Sequence, residues 1–354
     1  MTTRVLVTGA GTGPSENLLR SLRAGDASLA LVGCHHDRFA LKSSAADAKY
    51  LVPPATHRDY PRALGRIIGR EKVDLLIPTS DADVRRVARV RRCLRCRVFL
   101  PRTSVIELCQ DKYALTARLR ARGVPAPRTY RVTSPRAIGV LFARLGPARP
   151  VWCRIRFGQG ALGALAVTTP AQARAWIDHW KRVRGVRATA FTLSEYLPGR
   201  DFSCQSLWHD GARVLTKTFE RVAPFGGQPG GSSVAALAKI VSDPRVADVC
   251  DAAVRAVDRR ASGVFCFDVR EDARGVPCVT EINAGRFSMS TNLYDLVGKH
   301  NMALTYVRLA LGGPVDFRGE YDAPEGYYMV RELDTLAGIF HANEFFEGIE
   351  DVRP

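Results

Sequence analysis

Lysine is scarce in this chain of 354 residues: of 52 basic residues 44 are arginine and only 8 are lysine, and 35 acidic residues leave a formal net charge of +17. Such a charge invites a nucleic-acid reading, because bound cations displace counterions from phosphate. The arginines are spread along the whole chain, however, and read as a compositional bias rather than a binding face. The densest run, Arg85 to Arg102, holds eight arginines and no acid. It lacks the interleaved exposed aromatics that stack on bases, so it reads as a solvated helix followed by a strand.

No run approaches the ~18 consecutive apolar residues of a membrane span. The stretch Val5-Leu6-Val7-Thr8 is too short for a signal-peptide core and is followed by no cleavage pattern, so a cytoplasmic protein without a membrane partner is expected. A second Cys-x-x-Cys is missing as well. Nine cysteines are scattered and only Cys93-Leu94-Arg95-Cys96 has metal-like spacing, which weighs against zinc and fits reduced thiols. There is no internal repeat and no low-complexity segment. With 46% hydrophobic and 25% charged residues, disorder, collagen and coiled coil are excluded as dominant states. The length suits roughly two to three domains at about 100–200 residues each.

The first hundred residues alternate strand and helix signals. Val5 to Val7, Leu29 to Val32, Val73 to Pro78 and Val98 to Pro101 read as strands, while Asn17 to Leu22 and Tyr60 to Ile68 carry helical stripes. That alternation predicts a doubly wound parallel sheet over 1–103. One helix is expected from Ser104 to Arg122, closed by Gly123, Pro125 and Pro127. The texture then changes to α+β. Strands are expected at Pro150 to Arg156, Ala164 to Thr169, Phe191 to Trp208, Arg213 to Val222, Gly263 to Val269 and Pro277 to Ile282, with helices at Ala171 to Arg184 and Val246 to Val257. After Gly312 the chain is polar and aromatic without a clear period.

Two glycine clusters stand out. Gly9-Ala10-Gly11-Thr12-Gly13 follows the first strand, where a backbone turn can approach a pyrophosphate. As a dinucleotide fingerprint it is defective: Pro14 stands where the last glycine belongs, and the second strand ends in Gly33-Cys34-His35-His36-Asp37 with no clean acid. Arg154-Ile155-Arg156-Phe157-Gly158-Gln159-Gly160-Ala161-Leu162-Gly163 lies between two strands, a hairpin loop whose N–H groups could fold over phosphates with a cation at its base. A third feature is a pair of strands carrying acids, Phe265 to Val269 and Val279 to Asn283. Alternation places Glu281 and Asn283 on one face, and a hairpin can set Asp268 opposite them. Such oxygen donors suit Mg²⁺, which shares its shell with substrate phosphates.

In order along the chain, these features resemble the ATP-grasp superfamily, in particular relatives of the carbamoyl-phosphate synthetase large chain and carboxylate-amine ligases. The resemblance runs from about residue 4 to 311. It rests on the glycine-turn α/β domain with Val73 to Pro78, on Asp111-Lys112-Tyr113-Ala114-Leu115 and Gly123-Val124-Pro125-Ala126-Pro127, and on Pro150 to Gly163. Glu195-Tyr196-Leu197-Pro198-Gly199-Arg200-Asp201 and Asp268 with Glu281-Ile282-Asn283 complete it. It implies a domain over 1–103, a two-lobed ATP-grasp domain over 104–190 and 191–312, and an extension over 313–354.

Carried over residue by residue, the resemblance makes Lys112 and Arg154 the cations gripping ATP phosphates and Gly158, Gly160 and Gly163 the loop above them. Glu195 and Leu197 would meet adenine and Asp201 the ribose. Asp268, Glu281 and Asn283 would hold two Mg²⁺ ions, with Mn²⁺ as a substitute. Lys217 and Arg286 are the basic residues matched to the transferred phosphoryl group. Arg154 stands where Lys is commoner, and Arg keeps the charge with a bidentate fork. Ala284-Gly285-Arg286 is one residue longer than the usual sequence after the metal strand.

The implied reaction is phosphorylation of a carboxylate by ATP to an acyl phosphate, which an amine or similar nucleophile attacks, releasing ADP and phosphate. Its partners would be small-molecule acids and amines, the protein a monomer or homodimer. Ser288, Ser290 and Asn292, with Arg286, are candidates for the acceptor side. Gly226 to Ser233 is either a loop closing over that pocket or a surface loop without a role. A nucleotide-binding relative without ligase activity, an NAD-binding protein and a basic nucleic-acid-binding protein are the alternatives.

Overall fold

Three sheets build the fold in the computed structural model, which describes residues 2–146, 150–158, 160–225, 234–331 and 347–353. The first is parallel. Arg4–Thr8 lies between Ala30–His35 and Leu75–Ile77, Ala48–Leu51 follows, and the C-terminal Glu350–Asp351 closes the edge. Alternation along Arg4–Thr8 decides its two cores. Val5 and Val7 meet Leu18, Leu19 and Leu22 of helix Gly13–Gly25, whereas Leu6 meets Leu64, Ile67 and Ile68 of helix Tyr60–Glu71.

The strand expected at 98–101 is reduced to one parallel bridge, Leu75 to Arg97. Beyond it the chain turns to cover the Gly263–Glu271 strand, and a Cβ built at Gly263 would lie 2.9 Å from Pro101 Cδ. Pro101 also has no N–H to give a ladder. Three cations of the Arg85 to Arg102 run are drawn in by neighbours: Arg85 Nε donates to Gln110 Oε1 at 2.7 Å, Arg89 Nη2 to Glu107 at 2.5 Å and Arg102 Nη2 to Asp258 Oδ1 at 2.6 Å.

The single helix expected over 104–122 is two, Thr103–Gln110 and Lys112–Ala121. Asp111 breaks it in extended conformation and caps the second helix, accepting from the N–H groups of Tyr113 and Ala114 at 3.2 and 3.1 Å.

The second sheet is antiparallel, in the order Thr129–Arg131, Phe191–Glu195, Val151–Ile155, Leu165–Val167, with helices Ile138–Leu145 and Pro170–Arg184 against it. The third runs Pro277–Ala284, Gly263–Glu271, Asp201–His209, Ala212–Pro224, Ala235–Ile240, Tyr328–Val330, with Glu320–Tyr321 pairing on Ala212–Pro224. The long strand expected over 191–208 is therefore two strands in different sheets. Pro198 and Gly199 interrupt it, and Gly199 lies so close to Glu271 that a Cβ there would sit 2.5 Å from the Glu271 Cβ. Residues after Gly312, which show no period, return as short strands in the first and third sheets. Among the described residues no helix is long and apolar enough to cross a membrane.

Candidate active site

A cleft of about 680 Å³ opens where the three sheets meet. Its walls are the C-terminal ends of the parallel strands (Gly9, His35, Thr79), the second sheet (Trp152, Arg154, Ser194) and one face of the third (Ser203, Arg221, Asp268, Glu281).

Lys112 enters it because its helix is fastened to the base of the glycine loop. Its backbone N–H donates to Arg156 O at 3.3 Å, and Arg156 Nε donates to the capping Asp111 Oδ1 at 2.6 Å. Burial pushes the Asp111 carboxyl up, but Arg156 and the Ala114 N–H outweigh it and hold it below the usual range. Lys112 Nζ donates to Gly158 O and stands 3.5 Å from Glu281 Oε2. Arg154 Nη1 stands 3.5 Å from the same oxygen, and Arg154 Nη2 donates to Thr280 O at 2.9 Å. Burial pulls the Arg154 guanidinium down against Glu281 and Asp268. Its Nε is buried with no partner among the described residues.

The three loop glycines are not equivalent. Gly158 and Gly160 line the cleft, have positive φ (131° and 69°), and have open space where a Cβ would stand. Gly163 is turned away into packing: a Cβ there would lie 2.7 Å from Ile155 Cδ1. Gln159 and the Gly226–Ser233 loop lie outside the described residues.

Glu195 and Leu197 line the cleft. The Glu195 carboxylate is already engaged, accepting from Arg128 N at 2.7 Å and Arg128 Nε at 2.5 Å. Its backbone N–H is engaged as well, donating to Arg128 O at 3.0 Å, which leaves the carbonyl for any role toward a base.

On the third sheet the strands bring Asp201, Asp268, Glu281 and Asn283 onto one face: Asp268 stands opposite both Ser203 and Glu281, and Asn283 opposite Cys266. Asn283 Oδ1 accepts from Arg286 Nη2 at 2.6 Å, and Arg286 Nε donates to Asp81 Oδ1 at 2.7 Å. Burial works against charge on Arg286, and Asp81 overcomes it, raising its pKa.

Lys217 is not brought to the cleft. It is fully buried, with Nζ donating to Asp322 Oδ2 at 2.7 Å and Tyr294 O at 2.9 Å, and Asp295 Oδ1 at 3.8 Å. Its strand face is the right one, but Phe219 and Tyr294, packed at 5.2 Å between centroids, close it off.

Arg221, four residues further along the strand, occupies the cleft instead. Its Nη1 donates to Asp201 Oδ1 at 2.6 Å and its Nη2 to Asp268 Oδ1. Burial disfavours its charge, and Asp268 and Asp201 more than compensate, raising its pKa. A mirror reading of the hairpin about Asp210-Gly211 sets Asp201 against Glu220. The register shift between Arg213 and Leu215 moves Arg221 opposite it, which sequence spacing does not show.

Arg331 was also missed, since no period marks its segment. It lines the cleft beside Ser290, donates from Nη1 to Ala235 O at 3.0 Å, and has no carboxylate partner among the described residues. Burial alone pulls its guanidinium down. Ser288 and Ser290 line the same end; the Asn292 side chain lies outside what is described.

Among the described residues no three His, Cys, Asp or Glu side chains gather as a metal cluster. The donors that fit Mg²⁺ are Glu281, which accepts no hydrogen bond among them, and the Asn283 amide oxygen, a hard donor with a second lone pair. Asp268 keeps Oδ2 free of hydrogen bonds among the described residues, but Arg221 holds its Oδ1 and would stand beside an ion bound there.

The first glycine turn is filled by its own chain. Gly11 N donates to Glu16 Oε1 at 2.7 Å, and a Cβ on Gly11 would fall 1.6 Å from Ala40 O.

No protein-family profile matches the chain. Solved structures do resemble it. The biotin carboxylase domain dimer of Hydrogenobacter thermophilus 2-oxoglutarate carboxylase, in complex with MgADP, ADP and bicarbonate, superposes with a TM-score of 0.71 at 15% identity, covering 93% of this chain and 73% of that one. N5-carboxyaminoimidazole synthetase from Staphylococcus aureus, complexed with ADP, gives 0.70 at 12% identity over 91% and 80%. L-amino acid ligase from Bacillus licheniformis gives 0.67 at 13% over 88% and 74%. A parallel α/β sheet followed by an antiparallel and a mainly antiparallel sheet that enclose a cleft, matched over about nine-tenths of the chain, is the ATP-grasp fold with its preceding α/β domain.

Proposed function

We propose that the protein is an ATP-dependent ligase that activates a carboxylate as an acyl phosphate and joins it to an amine or similar nucleophile, releasing ADP and phosphate. The observation that carries this reading is the convergence of Lys112 and Arg154 on Glu281, each at 3.5 Å, beneath the loop of Gly158 and Gly160. Phosphoryl transfer asks mainly for positioning and charge stabilisation, which two fixed cations and hard oxygen donors supply. Mg²⁺, bound through Glu281 and Asn283 together with phosphate oxygens, would supply neutralisation of charge on the phosphates.

Lys112 and Arg154 hold the phosphates, Leu197 and the Glu195 backbone border the base, and Asp201 faces the ribose. A carboxylate oxygen attacks the γ-phosphorus as its bond to the bridging oxygen breaks, and that electron pair leaves on ADP. The amine then adds to the acyl carbon and phosphate departs, with the amine proton passing to solvent. Arg331, a half-buried cation without a carboxylate partner among the described residues, is placed to receive the acid. No nucleophilic side chain is needed.

A screen of ADP release with ATP, Mg²⁺ and a panel of amino and organic acids, with and without amines, tests the reading. Acid-dependent ADP release, absent from Lys112→Met, is expected. Acid-independent hydrolysis equal in both proteins would contradict it.

A further inference from the structure

The residues matched to two Mg²⁺ ions are not equally free to bind them. Asp268 Oδ1 accepts from Arg221 Nη2, and the same guanidinium holds Asp201 through Nη1 at 2.6 Å and the Phe202 carbonyl at 3.2 Å. The Arg221 side chain is 9% exposed, and its Nε is buried without a partner among the described residues. Glu281 differs: its nearest cations stand back at 3.5 Å.

We infer that Arg221 takes the place of the second metal ion, so that the protein works with one Mg²⁺ bound at Glu281 and Asn283; this rests on the nucleotide-binding reading above. Three carboxylates, Asp201, Asp268 and Glu281, face four cations, Lys112, Arg154, Arg221 and Arg270, the last 4.0 Å from Asp201 Oδ2, so the polar floor carries no excess negative charge without any metal. An arginine keeps its proton under all ordinary conditions. A divalent ion on Asp268 would stand against that guanidinium in a site of reduced dielectric, where like charges repel strongly. Mg²⁺ also demands near-ideal octahedral geometry at about 2.0–2.1 Å. An ion on Asp268 Oδ2 would sit beside the Arg221 guanidinium, and one bound through both oxygens would require Arg221 to leave Oδ1 and weaken its hold on Asp201.

The test is a count of bound Mn²⁺ per bound nucleotide, by electron paramagnetic resonance, on the full chain saturated with a non-hydrolysable ATP analogue. One Mn²⁺ is expected in the wild type and in Asp268→Asn, and two in Arg221→Met, where Asp268 is released. Two Mn²⁺ in the wild type falling to one in Asp268→Asn would overturn the inference while leaving the nucleotide site intact. Folded Arg221→Met that still binds one ion would overturn it as well. If Arg221→Met does not fold, the wild-type and Asp268→Asn counts decide alone. A wild type that binds no nucleotide would instead remove the reading on which the inference rests.

Discussion

Arg286 ties the acidic face of the third sheet to the parallel α/β unit: its Nε donates to Asp81 Oδ1 at 2.7 Å, across 205 residues of sequence. Both side chains are more than three-quarters buried. Asp81→Ala leaves the Arg286 charge without its carboxylate and should cost about 2–4 kcal/mol in stability. Denaturant unfolding measures it, and a change under about 0.5 kcal/mol, the range of an ordinary surface substitution, would show that the two domains are not joined through this pair.

Arg154 should need its charge rather than its shape alone. Arg154→Met is expected to weaken ATP binding by at least about tenfold, roughly 1.4 kcal/mol, and Arg154→Lys to keep most of it. Equal affinity in Arg154→Met and wild type, by calorimetry, would take Arg154 out of the nucleotide site.

Glu281→Gln separates binding from turnover. Nucleotide binding draws on base, ribose and cation contacts, so ATP affinity should stay within about tenfold. Turnover should drop at least about a hundredfold, the scale of losing one electrostatic stabiliser of a transition state. Normal turnover with unchanged Mg²⁺ dependence would make Glu281 an ordinary strand residue.

Asp295 gives stability a specific pH dependence. Burial raises its carboxyl from 3.8 to about 6, against Lys217 and the N–H groups of Met302 and Ala303. Between those values the folded state holds more protons here than the unfolded one, so this contribution is complete at low pH and is lost as pH rises through about 6. Asp295→Asn removes that loss. Its melting temperature should therefore trail wild type most below pH 3.8 and least above about pH 6; a gap that widens with pH would contradict the assignment.

Much of the fold was legible because the pattern is local. Val5, Leu6 and Val7 alternate between two cores, and the acidic strands read correctly as a hairpin with Asp268 opposite Glu281. What escaped depends on contacts distant in sequence. Asp111, which caps the second helix locally, is also held by Arg156, 45 residues on. Lys217 was separated from the cleft by Tyr294, and Arg221 was brought into it by a bulge of the strand register. Arg331 carries no motif; only the closing of the Tyr328–Val330 strand on Ala235–Ile240 brings it beside Ser290.

The most direct test of the ligase account follows an oxygen atom. With an acid from the panel labelled with ¹⁸O in its carboxylate, ATP, Mg²⁺ and the amine, an acyl-phosphate route transfers one ¹⁸O to inorganic phosphate, and ADP is the nucleotide product. Mass spectrometry of the phosphate should show that label, stoichiometric with ADP. Label in AMP, with pyrophosphate released, would mean an acyl adenylate and contradict the account.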